Sequence, residues 1–146
     1  MTPSYTTPGH NGRSASVLAA ALPDGLGFHA RLLGVSTARV REQTVTVDLL
    51  VLSVSGDLDT CTAPLLQHNL SQALPAVTVL DLSRLEFLGV AGLQVLEAAA
   101  TNAVAERRRI GLVTGSDSVR RIMRLFDLHL RVPVYPLLGD ALRELT

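Results

Sequence analysis

Lysine and tryptophan are absent from this 146-residue sequence, and cysteine occurs once. The lone Cys61 excludes an intramolecular disulfide and a thiolate metal cluster. All 13 basic residues are arginine, and 13 acidic residues balance them. A neutral chain makes no electrostatic case for nucleic acid or for an anionic membrane surface. No apolar run approaches the roughly 20 residues that span a bilayer. Aromatic residues make up only 3%, so a core has to rest on Leu, Val and Ala. There is enough of those: 47% of the chain is hydrophobic and 18% charged, a balance for one folded domain rather than for disorder.

The first residues mix Pro, Gly, Ser and Thr without periodicity, and we read 1–31 as a flexible tail and 32–146 as the domain. The apolar patch Val17 to Leu22 is too short for a secretory h-region, and Met1 to Asn11 carries no basic residue. The expected compartment is therefore the cytoplasm.

From Arg39 to Ser55, β-branched residues dominate and apolar positions alternate in two phases. Val45, Val47, Leu49 and Val51 follow one; Leu50, Leu52 and Val54 follow the other. This predicts a half-exposed strand followed by one covered on both faces, with a possible turn at Asp48. Gly56 is expected to end the second strand, and Asp59, Thr60 or Thr62 to cap a helix with Pro64 in its first turn. Leu65, Leu66, Leu70, Ala73 and Leu74 share a face of that helix. A short buried strand, AVTVLDLS, comes next. Val90 to Arg107 reads as a helix striped by Leu93, Leu96, Ala100 and Val104, with Arg107 to Arg109 at its C-terminal end. IGLVTG is another buried strand, and Ser116 or Asp117 caps a helix that turns Val119, Ile122, Met123 and Phe126 inward. RVPVYP, weakened by Pro133, suits an edge strand, and GDALREL a last short helix. An initial strand pair followed by alternating helices and strands predicts an α/β fold: a mixed, mainly parallel sheet with about four flanking helices.

Few residues offer chemistry. Asp57 and Asp59 lie at a strand-to-helix loop, as a catalytic or Mg²⁺ pair would, but no local acid, His or Lys completes such a site. A capping Asp59 and a solvated Asp57 are the simpler reading. Cys61 fits a small buried residue better than a nucleophile. His10, His29, His68 and His129 have no dyad or metal spacing. Gly89-Val90-Ala91-Gly92 lacks both the G-x-G-x-x-G pattern and the Lys-Ser/Thr of a phosphate loop. Arg120, Arg121, Arg124 and Arg131 have no interleaved aromatics and read as a solvated face. No enzymatic activity, metal or cofactor is expected.

Two stretches resemble the motifs of STAS domains. VLSVSGDLDTCTAPLLQHNL is similar to their strand, Gly, acid, Leu, Asp and Thr-containing helix start. VLDLSRLEFLGVAGLQVLEAA is similar to their apolar strand, Asp-Leu-Ser, Phe, then an Asp-Ser-Ser-Gly-Leu turn and helix. SDSVRRIMRLFDLHLRVPVYPLLGDALREL resembles the closing helix, strand and helix, so the likeness covers roughly residues 40–146. The branch most resembled is the bacterial anti-sigma factor antagonists. The resemblance implies a protein that binds an anti-sigma factor, itself a Ser/Thr kinase, and is released when the first Ser of the turn is phosphorylated.

Carried over residue by residue, Asp57 matches the acid after the Gly and Asp59 the Asp beside the switch, while Gly92 and Leu93 match Gly-Leu. Gly89, Val90 and Ala91 occupy the Asp and the two Ser positions. Valine has no hydroxyl, so phosphorylation at Val90 is not expected. The resemblance implies a partner-binding surface of Asp57, Asp59, Thr60 and Gly89 to Leu93, directed at an anti-sigma factor or kinase-like protein. The alternative is a ligand-sensing or scaffold STAS module without antagonist activity. A substitute phosphate acceptor at Thr60, Thr62 or Ser83 is the weaker reading, since such hydroxyls more often cap or turn the backbone.

Overall fold

The computed structural model describes residues 12–16 and 37–146. Six strands form one sheet in chain order: β1 Gly12–Ser16, β2 Ala38–Thr46, β3 Leu49–Leu58, β4 Val77–Leu88, β5 Arg109–Val113 and β6 Val134–Tyr135. The first two pairings are antiparallel and the other three parallel. Four described helices join them: α1 Ala63–Leu70, α2 Val90–Ala105, α3 Asp117–Leu125 and α4 Leu138–Leu145. The mixed, mainly parallel sheet and its helix count are those expected. The segment read as tail is described only at β1, which is paired with β2 rather than free; the rest of 1–31 lies outside the described residues.

The two apolar phases of β3 become two cores. Leu50, Leu52 and Val54 face a cluster closed by Leu65 and Leu66 of α1, Leu93 and Leu96 of α2, and Val119 and Met123 of α3. Leu49 and Val51 face a smaller cluster with Val77, Val79 and Val113, closed by Ala141 and Leu145 of α4. A strand buried on both sides needs apolar residues in both phases. Each fully buried leucine, such as Leu52, contributes about 1.5–3 kcal/mol through its removal from water.

Several boundaries differ from the expected ones. Gly56 does not end β3: with φ +89° it sits at a register shift, and the strand continues to Leu58. β4 is no short strand but spans 12 residues. Its second half pairs with β3 alone, because β5 stops opposite Asp81. That half-covered stretch carries Ser83, Arg84 and Glu86 and so escapes an apolar reading. Val104 is exposed and Ala103 takes its place in the core: after Ala100 the buried stripe advances by three residues, not four. Phe126 is exposed as well, because α3 ends at Leu125 and Asp127 turns the chain with φ +60°. Leu128 fills the core instead. Arg107 to Arg109 do not extend α2; Arg107 turns the chain with φ +56° and Arg109 opens β5.

Candidate functional site: the rim at the ends of β3 and β4

Leu58 and Leu88 are register partners at the C-terminal ends of two parallel strands. Whatever follows each strand must therefore emerge on the same rim. The Asp59–Thr62 turn follows β3 and the Gly89–Gly92 helix entrance follows β4. The Gly89 N–H donates to the Leu58 carbonyl at 2.9 Å, which ties the two loops together.

The β3 loop is organised around Thr62, which is fully buried. Its hydroxyl donates to the Asp57 carbonyl at 2.5 Å and accepts from the Asp59 N–H at 2.9 Å. The Asp59 carboxylate turns back to accept from the N–H groups of Cys61 at 2.9 Å and Thr62 at 3.2 Å. Asp59 thus supports the start of α1, where Pro64 occupies the first turn as expected. Thr60 and Cys61 are exposed at the tip of the loop, so Cys61 is not the buried residue expected of it.

The β4 loop has no polar side chain at its helix start. Gly89 is the N-cap, in extended conformation with φ −95° and ψ 178°, and no side chain caps the helix. Its carbonyl accepts from the Leu93 N–H at 3.0 Å. Val90 is 56% exposed, and Ala91 is half-buried beside it. Gly92 and Leu93 are different. A Cβ on Gly92 would stand 2.7 Å from Leu58 Cγ, and Leu93 is 1% exposed in the core. Their expected place on a contact surface is corrected: both are used to seat α2 on the sheet.

Two concavities flank Val90. A groove of about 400 Å³ between α1 and α2 runs from Thr60 and Ala91 past Pro64 and Val95 to Arg108. On the other side, a cleft of about 650 Å³ is lined by Glu86, Phe87, Asp117, Ile122 and Leu125. Phe87 is 52% exposed and reaches over the helix entrance; a Cβ on Gly89 would lie 3.0 Å from its Cε2 atom. In the sequence Phe87 stands out only as part of a motif. In a chain with 3% aromatics, a phenylalanine beside a glycine turn was the available signal. The rim therefore presents Thr60, Val90 and Phe87, with Glu86, Asp117 and Arg121 lining the cleft beside them.

Among the described residues, no three His, Cys, Asp or Glu side chains are grouped to hold a metal ion. His10 and His29 lie outside the described residues. No described helix is long and apolar enough to cross a membrane.

Comparison with known proteins agrees with this fold. Residues 43–138 match the family model described as "Mlab, STAS domain". The anti-sigma-F factor antagonist RsfB of Mycobacterium tuberculosis is 34% identical over 106 residues, which cover 68% of this chain and 86% of RsfB. A crystal structure of an anti-sigma factor antagonist from Mycobacterium paratuberculosis superposes with a TM-score of 0.65 at 32% identity, over 74% of this chain and 93% of that one. The unphosphorylated antagonist SpoIIAA, a protein of Bacillus, superposes with a TM-score of 0.62 over 72% of this chain and 94% of its own. Its 17% identity bears on the fold alone. Sequence and topology lead to one conclusion: the chain belongs to the STAS domain family, among the relatives of bacterial anti-sigma factor antagonists.

Proposed function

We propose that the protein is a cytoplasmic, non-enzymatic regulator of the anti-sigma factor antagonist type, and that its rim binds an anti-sigma factor or a kinase-like protein. The observation that carries this reading is the placement of exposed Val90 beside the Asp57–Thr62 loop, in a chain 34% identical to an anti-sigma-F factor antagonist. Thr60, Val90, Ala91 and Phe87 supply a small contact surface of largely apolar character. Asp59 acts through the shape of its loop.

The association is not switched at Val90, whose side chain has nothing to phosphorylate. A phosphate would add about −1.5 to −2 charges at a helix N-terminus, compatible with the helix but not with an apolar contact. Binding is tested with candidate anti-sigma factors from the same genome, with and without ATP. Complexes that form equally in both conditions are expected. ATP-driven release with phosphate on any residue of this chain would overturn the unswitched reading, and no binding to any candidate would overturn the antagonist reading.

The groove between α1 and α2 favours a second reading, a ligand-sensing or scaffold module. It predicts a rise in thermal stability with a small molecule and no bound anti-sigma factor.

A further inference from the structure

Among the described residues, the face of the sheet opposite α1, α2 and α3 is only half covered. α4 closes over Leu49, Val51, Val77, Val79 and Val113. Continuing along the same face, β3 changes from Leu49 and Val51 to Ser53 and Ser55, and β4 from Val77 and Val79 to Asp81. Side chains two apart on a strand share a face, so these polar residues continue the row that α4 leaves open. The register completes the arrangement. Arg41 pairs with Ser53, and Ser53 with Asp81; Arg39 pairs with Ser55, and Ser55 with Arg84. Two short hydroxyl side chains thus form the floor, with arginines rising from the strands on both sides. The concavity they line is about 550 Å³.

We infer that this trough binds a small phosphorylated molecule. Arg41 and Arg84 against one carboxylate leave the trough cationic, and Asp81 is already engaged: its Oδ1 accepts from the Ser83 hydroxyl at 2.6 Å and the Ser83 N–H at 3.1 Å. Arg41 and Arg84 stand two strands apart and two residues out of register, about 12 Å at the backbone, so both side chains reach an anion held above the serines between them. Guanidinium forks match the oxygens of a phosphate, and serine hydroxyls can donate to a third. The trough lies on the opposite face of the sheet from α1 and α2, so the inference does not depend on the partner-binding reading.

Calorimetric titration of the full chain with inorganic pyrophosphate and with glycerol 3-phosphate tests it, the two probes separating an inorganic from an esterified source. Saturable binding of at least one is expected, weakened at least tenfold in Arg41→Gln and in Arg84→Gln. In amide spectra, the shifts should centre on Ser53 and Ser55. Both arginines are exposed, so the variants should keep the wild-type thermal transition. Absence of saturable binding to either probe, undiminished affinity in the double variant, or shifts centred on Gly89 to Gly92 would each overturn the assignment.

Discussion

Leu58 and Gly92 meet where β3 ends and α2 begins, in a contact with no room for a further atom. A Cβ at position 92 would stand 2.7 Å from Leu58 Cγ and 3.0 Å from the Leu58 carbonyl oxygen. The leucine side chain can yield a little, but the carbonyl is held by the Gly89 N–H. Gly92→Ala should therefore cost about 1–3 kcal/mol, the usual range for overpacking. Urea denaturation measures it; stability within about 0.5 kcal/mol of wild type would show that α2 slides freely off the strand end.

Gly56 should be the least replaceable glycine of the sheet. Its φ of +89° disfavours any side chain, and a Cβ would lie 2.4 Å from the Thr37 carbonyl oxygen. That carbonyl also accepts the Asp57 N–H at 2.8 Å, so moving it disturbs the pairing that leads into the rim. Gly56→Ala is expected to destabilise by about 2–3 kcal/mol. Gly139→Ala, in α4 with nothing nearer than 3.8 Å, should be neutral or stabilise by up to about 1 kcal/mol. Equal thermal transitions for the two variants would contradict this contrast.

Thr62 and Asp59 should separate by chemistry. Thr62→Val keeps the volume but leaves the Asp57 carbonyl and the Asp59 N–H without the hydroxyl, a loss of about 1–3 kcal/mol at a fully buried site. Asp59→Asn retains an acceptor for the Cys61 and Thr62 N–H groups and should change stability little, whereas Asp59→Ala should cost about 1 kcal/mol. If Asp59→Asn bound an anti-sigma factor as wild type while Asp59→Ala did not, loop shape rather than charge would be established as its role.

Val90 offers the direct probe of the proposed interface. It is 56% exposed, so Val90→Glu should leave stability within about 0.5 kcal/mol of wild type. The added carboxylate would meet the partner at an apolar contact, and affinity should fall at least tenfold. Unchanged affinity would remove Val90 from the interface.

Introducing an Asp-Ser pair at the α2 entrance crowds Phe87. Gly89→Asp would bring its Cβ to 3.0 Å from Phe87 Cε2, so the exposed ring has to give by a few tenths of an ångström. Gly89→Asp with Val90→Ser should accept phosphate from a cognate kinase, and adding Phe87→Ala should raise the yield. Mass spectrometry reads both, and equal yields with and without the ring would show that Phe87 does not restrict the turn.

Much of the architecture is legible in the chain because it depends on local patterns. The doubled apolar phases of Leu49 to Val54 announce a strand buried on both faces, and Pro64 and Ser116 mark helix starts that the structure retains. The Ser116 hydroxyl accepts from the Val119 N–H as a cap should. The edge position of β6 follows from Pro133. Other features were hidden because they depend on what lies alongside. The length of β4 rests on pairing with β3 beyond the end of β5, and the outward turn of Phe126 rests on the left-handed Asp127.

The rim and the trough divide in the same way. That the α2 entrance from Gly89 to Gly92 has no hydroxyl was settled by side-chain identity alone, which needs no fold. That Val90 and Phe87 are exposed beside Thr60, that Leu93 is not, and that Arg41 and Arg84 face one row of serines was decided by strand register. Composition is a property of each position, but proximity is set by hydrogen-bonded pairing between segments far apart in the chain, which no local pattern encodes.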